Sequence, residues 1–261
     1  MDIFSHTVSG LAAAAALLPV VKPNPVQVPL VLLTGALAGA LPDFDAIAMW
    51  GGYDATIGKW FSIPYSGRDI YFNQLWYSHH GVTHSLLGLG FFTGVFLLIM
   101  RACLPKRKRK WNWTYAAPFA LAYFMHILED MPTPGSVWEG VMLFCPIDHW
   151  VGGTGHIWWW HNYDLFLLFL GSFVINVLVF CVGRWVTVLN KAKVTLYVYG
   201  VMLALCAVQI VRRDYDYDYV DYTENDYDAK DEEAIRFQRE VLGDDLTDYM
   251  LSINDALPLP F

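Results

Sequence analysis

"SHHGVTHSLLGLGFFTGVFLLIMRACL", residues 78–104, joins a histidine-rich turn to a long apolar run. From Leu86 to Leu104 the only charged residue is Arg101. A helix needs roughly 20 apolar residues to cross the hydrocarbon core of a bilayer, so this run predicts a membrane-spanning helix. Three histidines at its mouth then demand a reason, because imidazole titrates near neutral pH and is the commonest metal ligand in proteins.

Working outward, five further apolar stretches can be read: 8–21, 26–41, 113–128, 165–189 and 194–211. The stretches 86–104, 165–189 and 194–211 have full spanning length, and 113–128 nearly so. The first two are short, and Pro29 interrupts the second; these are expected to tilt, insert in part or pack inside the bundle. The composition agrees: 56% of residues are hydrophobic and 16% charged, against about 25% charged in a soluble domain. The expected fold is an all-α polytopic membrane bundle of about five or six apolar helices.

Charge is unevenly spread along the chain. Fifteen of the 25 acidic residues lie from Asp214 onward, against three of the 17 basic ones. Residues 1–211 therefore read as a membrane-embedded domain, and 212–261 as an acidic, Tyr-rich, partly disordered linker ending in a short amphipathic helix near 232–252. Such a tail is too charged to build a core alone and is expected to be solvated. No basic face stands clear of the membrane signal, so nucleic acid is not an expected partner. Three tryptophans, Trp158, Trp159 and Trp160, read as an interfacial anchor.

Basic clusters fall at Lys22, at Lys106–Lys110 and at Arg184, Lys191 and Lys193. With six alternating segments these share one side, which the positive-inside rule makes cytoplasmic. The N-terminus, the loops 42–85 and 129–163 and the acidic tail are then extracytoplasmic. Arg212 and Arg213 fall on the wrong side for that rule.

This alternation also brings the ionisable outliers to one end of the bundle. His6 precedes the first stretch; Asp43 and Asp45, in "LPDFD", follow the second; His79, His80 and His84 precede the third; His126, Glu129 and Asp130, in "HILEDMPTPG", close the fourth. His126 and Asp130 are i, i+4 and share a helix face. Imidazole plus carboxylate without thiolate suits Zn²⁺, with Mn²⁺ or Fe²⁺ as substitutes. Six or seven ligands exceed what one catalytic zinc takes, so one or two ions are expected.

The order His6, "LPDFD", "HHGVTHSLL" (79–87), "HILEDMPTPG" (126–135) resembles the YdjM-like family of predicted membrane-bound, metal-dependent hydrolases. The resemblance covers roughly residues 1–147. It implies that His6, Asp43, Asp45, His79, His84, His126 and Asp130 are metal ligands or site residues, and His80 stands where the family pattern has arginine. The His126–Asp130 pair is also similar to one in zinc-dependent phospholipase C enzymes, which suggests a phosphoester substrate.

The sequence thus predicts a metal-dependent hydrolase in a cytoplasmic (inner) membrane, acting at the outer face on an ester or phosphoester that is lipid-linked or a small molecule. Asp45, then Glu129, are the candidates for orienting or deprotonating water. His80, Thr83 and Ser85 would hold an anionic group at the helix N-terminus beginning near Ser85. Two rivals remain open at this point: a non-catalytic membrane protein with a structural metal, and a divalent-cation transporter. Transporters usually place their site near mid-membrane between repeats, whereas these residues gather at one end.

Overall fold

The computed structural model of the chain describes residues 1–103, 112–133, 140–182, 190–213 and 224–257. The helices are α1 (Ile3–Val21), α2 (Val28–Ala40), the short α3 (Gly67–Tyr71), α4 (Leu86–Cys103), α5 (Asn112–Asp130), α6 (Tyr163–Val182), α7 (Lys191–Val211), α8 (Glu224–Leu242) and α9 (Asp244–Ala256). Among the described residues there is no strand beyond one isolated bridge, Val141 to Val151. The fold is an all-α polytopic bundle. Helices α1, α4, α6 and α7 are long and apolar enough to cross a membrane, and α2 together with the tight helical turn Pro42–Met49, bent by 49°, forms a fifth candidate. The basic run Lys106–Lys110 and Arg184 lie outside the described residues.

Helix α1 is longer than its apolar core predicts. Asp2 caps it, accepting from the Ser5 N–H at 2.8 Å and from the Ser5 hydroxyl at 2.7 Å, so the helix starts at Ile3 and carries the polar residues Ser5, His6 and Ser9 as its first turns. Pro29 does not interrupt α2; it lies in the first turn, where proline's missing N–H would have had no partner.

Helix α1 is the central element, packed against α2, α5, α6 and α7. Its run Ala12–Ala16 is fully buried; small side chains let membrane helices approach closely, where dispersion rather than water exclusion holds them. The tightest approach is to α2. A Cβ on Gly10 would overlap the Gly35 carbonyl, and one on Gly39 would overlap the His6 carbonyl. This crossing lays the His6 turn against the end of α2. Helix α4, by contrast, packs against α5 and leaves Leu87, Phe91, Leu98 and Ile99 exposed, as expected of a lipid-facing helix.

The linker expected at the start of the tail falls on residues 214–223, outside the described residues. The amphipathic helix expected near 232–252 is present as the pair α8 and α9, which docks on the bundle. Gly243, at φ 82°, splits the expected single helix in two. Gln238, Thr247 and Met250 are buried, and Met250 packs with Tyr163, Phe4 and Phe166. Beneath them Arg213 bonds Asp164 Oδ1 at 2.7 Å, stacks over Phe237, and shares Asp164 with the Gln238 amide at 3.0 Å. Net charge conceals this: a few apolar and amide side chains on one helix face suffice for docking when they meet a matching surface. Of the three tryptophans, Trp158 is fully buried and stacked on Trp159, whereas Trp159 and Trp160 are half-buried.

Two stability outcomes follow from this packing. Gly10→Leu should force α1 from α2 and cost about 1–3 kcal/mol, the usual cost of overpacking, read as a lower melting temperature in detergent. Arg213→Ala leaves Asp164 buried without its cation, a change worth about 3–5 kcal/mol. It should speed hydrogen exchange across residues 231–256 while leaving α1 and α2 protected; unchanged exchange there would mean the clamp does not hold the tail.

Candidate metal centre

The polar residues of four segments meet at one end of the bundle. α1 brings His6 on its first turn, and the turn after α2 brings Asp43 and Asp45. The loop before α4 brings His79, His80 and His84, and the last turn of α5 brings His126, Glu129 and Asp130. All five histidines are buried, with His6, His84 and His126 at most 1% exposed.

The imidazoles share a pattern of orientation. His6 Nδ1 lies 2.9 Å from Glu129 Oε2, His79 Nδ1 2.6 Å from Asp45 Oδ1, His80 Nδ1 3.0 Å from the Gly140 carbonyl, and His126 Nδ1 2.6 Å from the Gly39 carbonyl. These partners only accept, so each Nδ1 carries the proton and each neutral ring keeps its lone pair on Nε2. His84 Nδ1 lies 3.1 Å from the Thr83 hydroxyl and 3.4 Å from Asp45 Oδ2. Metal-ligating histidines almost always have their outer nitrogen anchored in this way.

The Nε2 atoms converge on Asp130 and Asp43. Asp130 Oδ1 lies 3.0 Å from His6 Nε2; Asp130 Oδ2 lies 2.9 Å from His126 Nε2 and 3.3 Å from His84 Nε2. Asp43 Oδ1 lies 3.5 Å from His126 Nε2 and 3.6 Å from His84 Nε2. The Met1 amino nitrogen also reaches Asp130 Oδ1 at 2.8 Å. Yet His6 Nε2 and Asp130 Oδ2 are buried without a hydrogen-bond partner, their close contacts lacking hydrogen-bond geometry. Buried polar atoms are rarely left so. Two such atoms in one cluster fit a shared cation, although His84 and His126 bond each other Nε2 to Nε2 at 3.0 Å, and His6, Asp43, His126 and Asp130 form one compact set of potential ligands.

Electrostatics point the same way. Burial opposes charge on His84, but the Asp45, Asp130 and Asp43 carboxylates outweigh it and hold the imidazole well above its usual range. The field here favours positive charge. His80 is pushed well below it by burial and by the neighbouring His79 and His84, which keeps it in the neutral form that can ligate.

Asp45 and Glu129, the sequence's candidates for handling water, both orient imidazoles. Asp45 Oδ1 takes His79 and its Oδ2 accepts from the Thr83 hydroxyl at 2.5 Å; Glu129 Oε2 takes His6 and its Oε1 accepts from the Ser9 hydroxyl. Of the three residues offered to a substrate anion, Thr83 is engaged by Asp45, and its carbonyl accepts from Tyr123 at 2.5 Å. Ser85 caps α4, donating to the Val82 carbonyl and accepting from the Gly88 N–H. The Leu86 N–H bonds the Leu143 carbonyl, so two of the first three N–H groups of this helix, those of Leu86 and Gly88, already have partners. His80 turns into the imidazole cluster.

Sequence reasoning missed Ser9, whose i, i+3 spacing from His6 was a usable signal. It also missed the Gly39 and Gly140 carbonyls, for which no residue type gives a signal. His156 and His161 lie elsewhere, against the Arg213 carbonyl and against Tyr163 and Asp231 respectively.

A bundle of membrane-length apolar helices with a buried imidazole–carboxylate cluster at one end defines a polytopic membrane protein with a candidate metal centre. The chain belongs to the YdjM inner membrane protein family, whose description matches residues 1–215. That match takes in the whole cluster and all of α1 to α7, and stops before the docked pair α8 and α9. No curated protein and no solved structure is significantly similar to the chain.

Ser9→Ala should remove the hydroxyl from a buried carboxylate and cost about 1–3 kcal/mol, measured as a drop in melting temperature. Ser9→Thr, which keeps the donor, should restore most of it; equal loss in both variants would make packing, not the bond to Glu129, the cause.

Proposed function

We propose that the protein is a metal-dependent hydrolase embedded in the inner membrane, with its site at the extracytoplasmic end of the bundle, acting on an ester or phosphoester of a lipid or lipid-linked molecule. The observation that carries the reading is the orientation of the imidazoles, outer nitrogens anchored and inner nitrogens aimed at Asp130 and Asp43. The donor set, imidazole and carboxylate with no thiolate, favours zinc, with manganese or iron(II) as substitutes.

A divalent cation bound there supplies Lewis acidity, which acidifies water and polarises an ester for attack. His6, Asp43, His126 and Asp130 would hold it. Glu129 and Asp45 fix the tautomers of His6 and His79, and the Gly39 carbonyl fixes His126. Each outer anchor also raises the basicity of its ring. The apolar helices around the cluster exclude bulk water and keep these charges strongly interacting. A site at the end of lipid-exposed helices favours a substrate already dissolved in the bilayer. Phe44, between Asp43 and Asp45, is 63% exposed and would lie along such a path.

The test is the metal content of detergent-purified protein by plasma mass spectrometry, wild type beside His126→Ala and Asp130→Ala, followed by hydrolysis of lipid phosphoesters and carboxylic esters in mixed micelles. At least one equivalent of zinc, lost in both variants together with hydrolysis, is expected. Metal that neither substitution nor added zinc alters would overturn the reading. Bound zinc without hydrolysis of any ester in the panel would reduce it to a structural metal. Glu129→Gln, which alters the carboxylate anchor of His6, should weaken metal affinity about 10–100-fold, the usual effect of disturbing an outer anchor, without abolishing binding; a competition titration with a zinc chelator measures it.

A further inference from the structure

The cluster holds more ligand groups than one ion can use. His6, Asp43, His126 and Asp130 each offer an atom within 4.8 Å of the others, and His79, His80 and His84 do the same as a separate group. The first group alone completes a four-coordinate ion of the zinc type. Three buried imidazoles then remain, and their rings lie in mutual contact, with centroids 4.3 Å apart for His79–His80, 4.7 Å for His80–His84 and 5.2 Å for His79–His84. With Nδ1 of His79 and His80 donating outward, the lone pairs of both rings are on Nε2.

Asp130 joins the two groups. Its Oδ1 faces His6 on one side, while its Oδ2 lies 2.9 Å from His126, 3.3 Å from His84 and 4.0 Å from His80. His84 and His126 approach Nε2 to Nε2 at 3.0 Å, so the groups abut. A carboxylate with an oxygen turned to each side is the bridging element of two-ion sites, whose ions sit about 3.5–4 Å apart. Charge leaves room for a second cation. Asp43, Asp45, Glu129 and Asp130 place four carboxylates in or against the cluster, each side chain at most 11% exposed. The Met1 ammonium on Asp130 offsets one of them, and a single dication beside it still leaves the carboxylates in excess. His80 is also held in a left-handed backbone conformation, φ 65°, by the bond from the Met142 N–H to its carbonyl and by its own bond to Gly140. Such conformations in residues other than glycine cost of order 1–3 kcal/mol and cluster at functional sites.

We propose that the centre binds two divalent cations bridged by Asp130, one held by His6, Asp43 and His126 and the second by His79, His80 and His84. His80 is thus a metal ligand and not an anchor for a substrate anion. The proposal deepens the metal-dependent reading above and rests on it.

The experiment uses the full chain in detergent micelles, stripped with a chelator and titrated with manganese(II) chloride. Bound manganese is counted, and electron paramagnetic resonance is recorded on the loaded protein. Two equivalents and an exchange-coupled spectrum are expected for wild type. In His80→Ala and His79→Ala the stoichiometry should halve and the spectrum become that of an isolated ion, with the melting temperature of the stripped protein confirming that the variants fold. One uncoupled equivalent in wild type, a result that depends on no variant, would overturn the second ion and leave the single-metal reading standing. No bound manganese or zinc at all would overturn both. Two equivalents retained in a folded His80→Ala would overturn the assignment of His80.

Discussion

A carboxylate buried to 1% exposure at the end of an apolar helix costs several kcal/mol unless opposite charge and hydrogen bonds compensate it; the Met1 ammonium gives Asp130 one such bond at 2.8 Å, and imidazoles from three segments are gathered around it. α1 supplies His6, the loop before α4 supplies His84, and α5 itself supplies His126 one turn back. Each supplier needs its own support. His126 needs the Gly39 carbonyl, His6 needs Glu129, and Glu129 needs Ser9. The small residues of α1 and α2 serve the same end, because the Gly39 carbonyl reaches His126 from the helix that lies against the His6 turn. Packing that looks like ordinary membrane-helix association is therefore also what fixes the polar cluster.

Much of this end was legible in the sequence because lipid penalises polar residues. In a chain where apolar runs dominate, the positions of His6, Asp43, Asp45, His79, His84, His126 and Asp130 stand out, and alternating topology puts them at one end. Geometry within the cluster was less legible. Spacing cannot tell which carboxylates face the imidazole Nε2 atoms and which face Nδ1, and Asp43 and Asp45 differ in that respect though only Phe44 separates them. Backbone acceptors such as Gly39 and Gly140 leave no mark on residue type.

The docking of the tail was not legible for a different reason. Acid content does not reveal where a few side chains meet a matching surface. Gln238, Met250 and the stacked Arg213–Phe237 pair suffice to seat α8 and α9. The same contacts bear on Arg213 as a topological signal. Its charge is buried and paired with Asp164, so it is not a free loop cation of the kind the positive-inside rule counts. Its conflict with the orientation drawn from the other basic residues loses its weight.

The four acidic residues show how one chemical type divides into two roles by helix geometry alone. Glu129 and Asp130 are adjacent, so they leave α5 about 100° apart. One turns to α1 and takes Nδ1 of His6, and the other turns back along its own helix to His126, four residues earlier. Asp43 and Asp45 divide similarly across a tight helical turn. One carboxylate of each pair therefore faces the Nε2 convergence and the other fixes the ring that lines it. Asp45 is bonded at both oxygens and held below the usual carboxylate range, burial being outweighed by its His79 and His84 neighbours, whereas burial raises Glu129 in spite of its bonds to His6 and Ser9. Orienting the imidazole rings is the task that the positions of both equip them for.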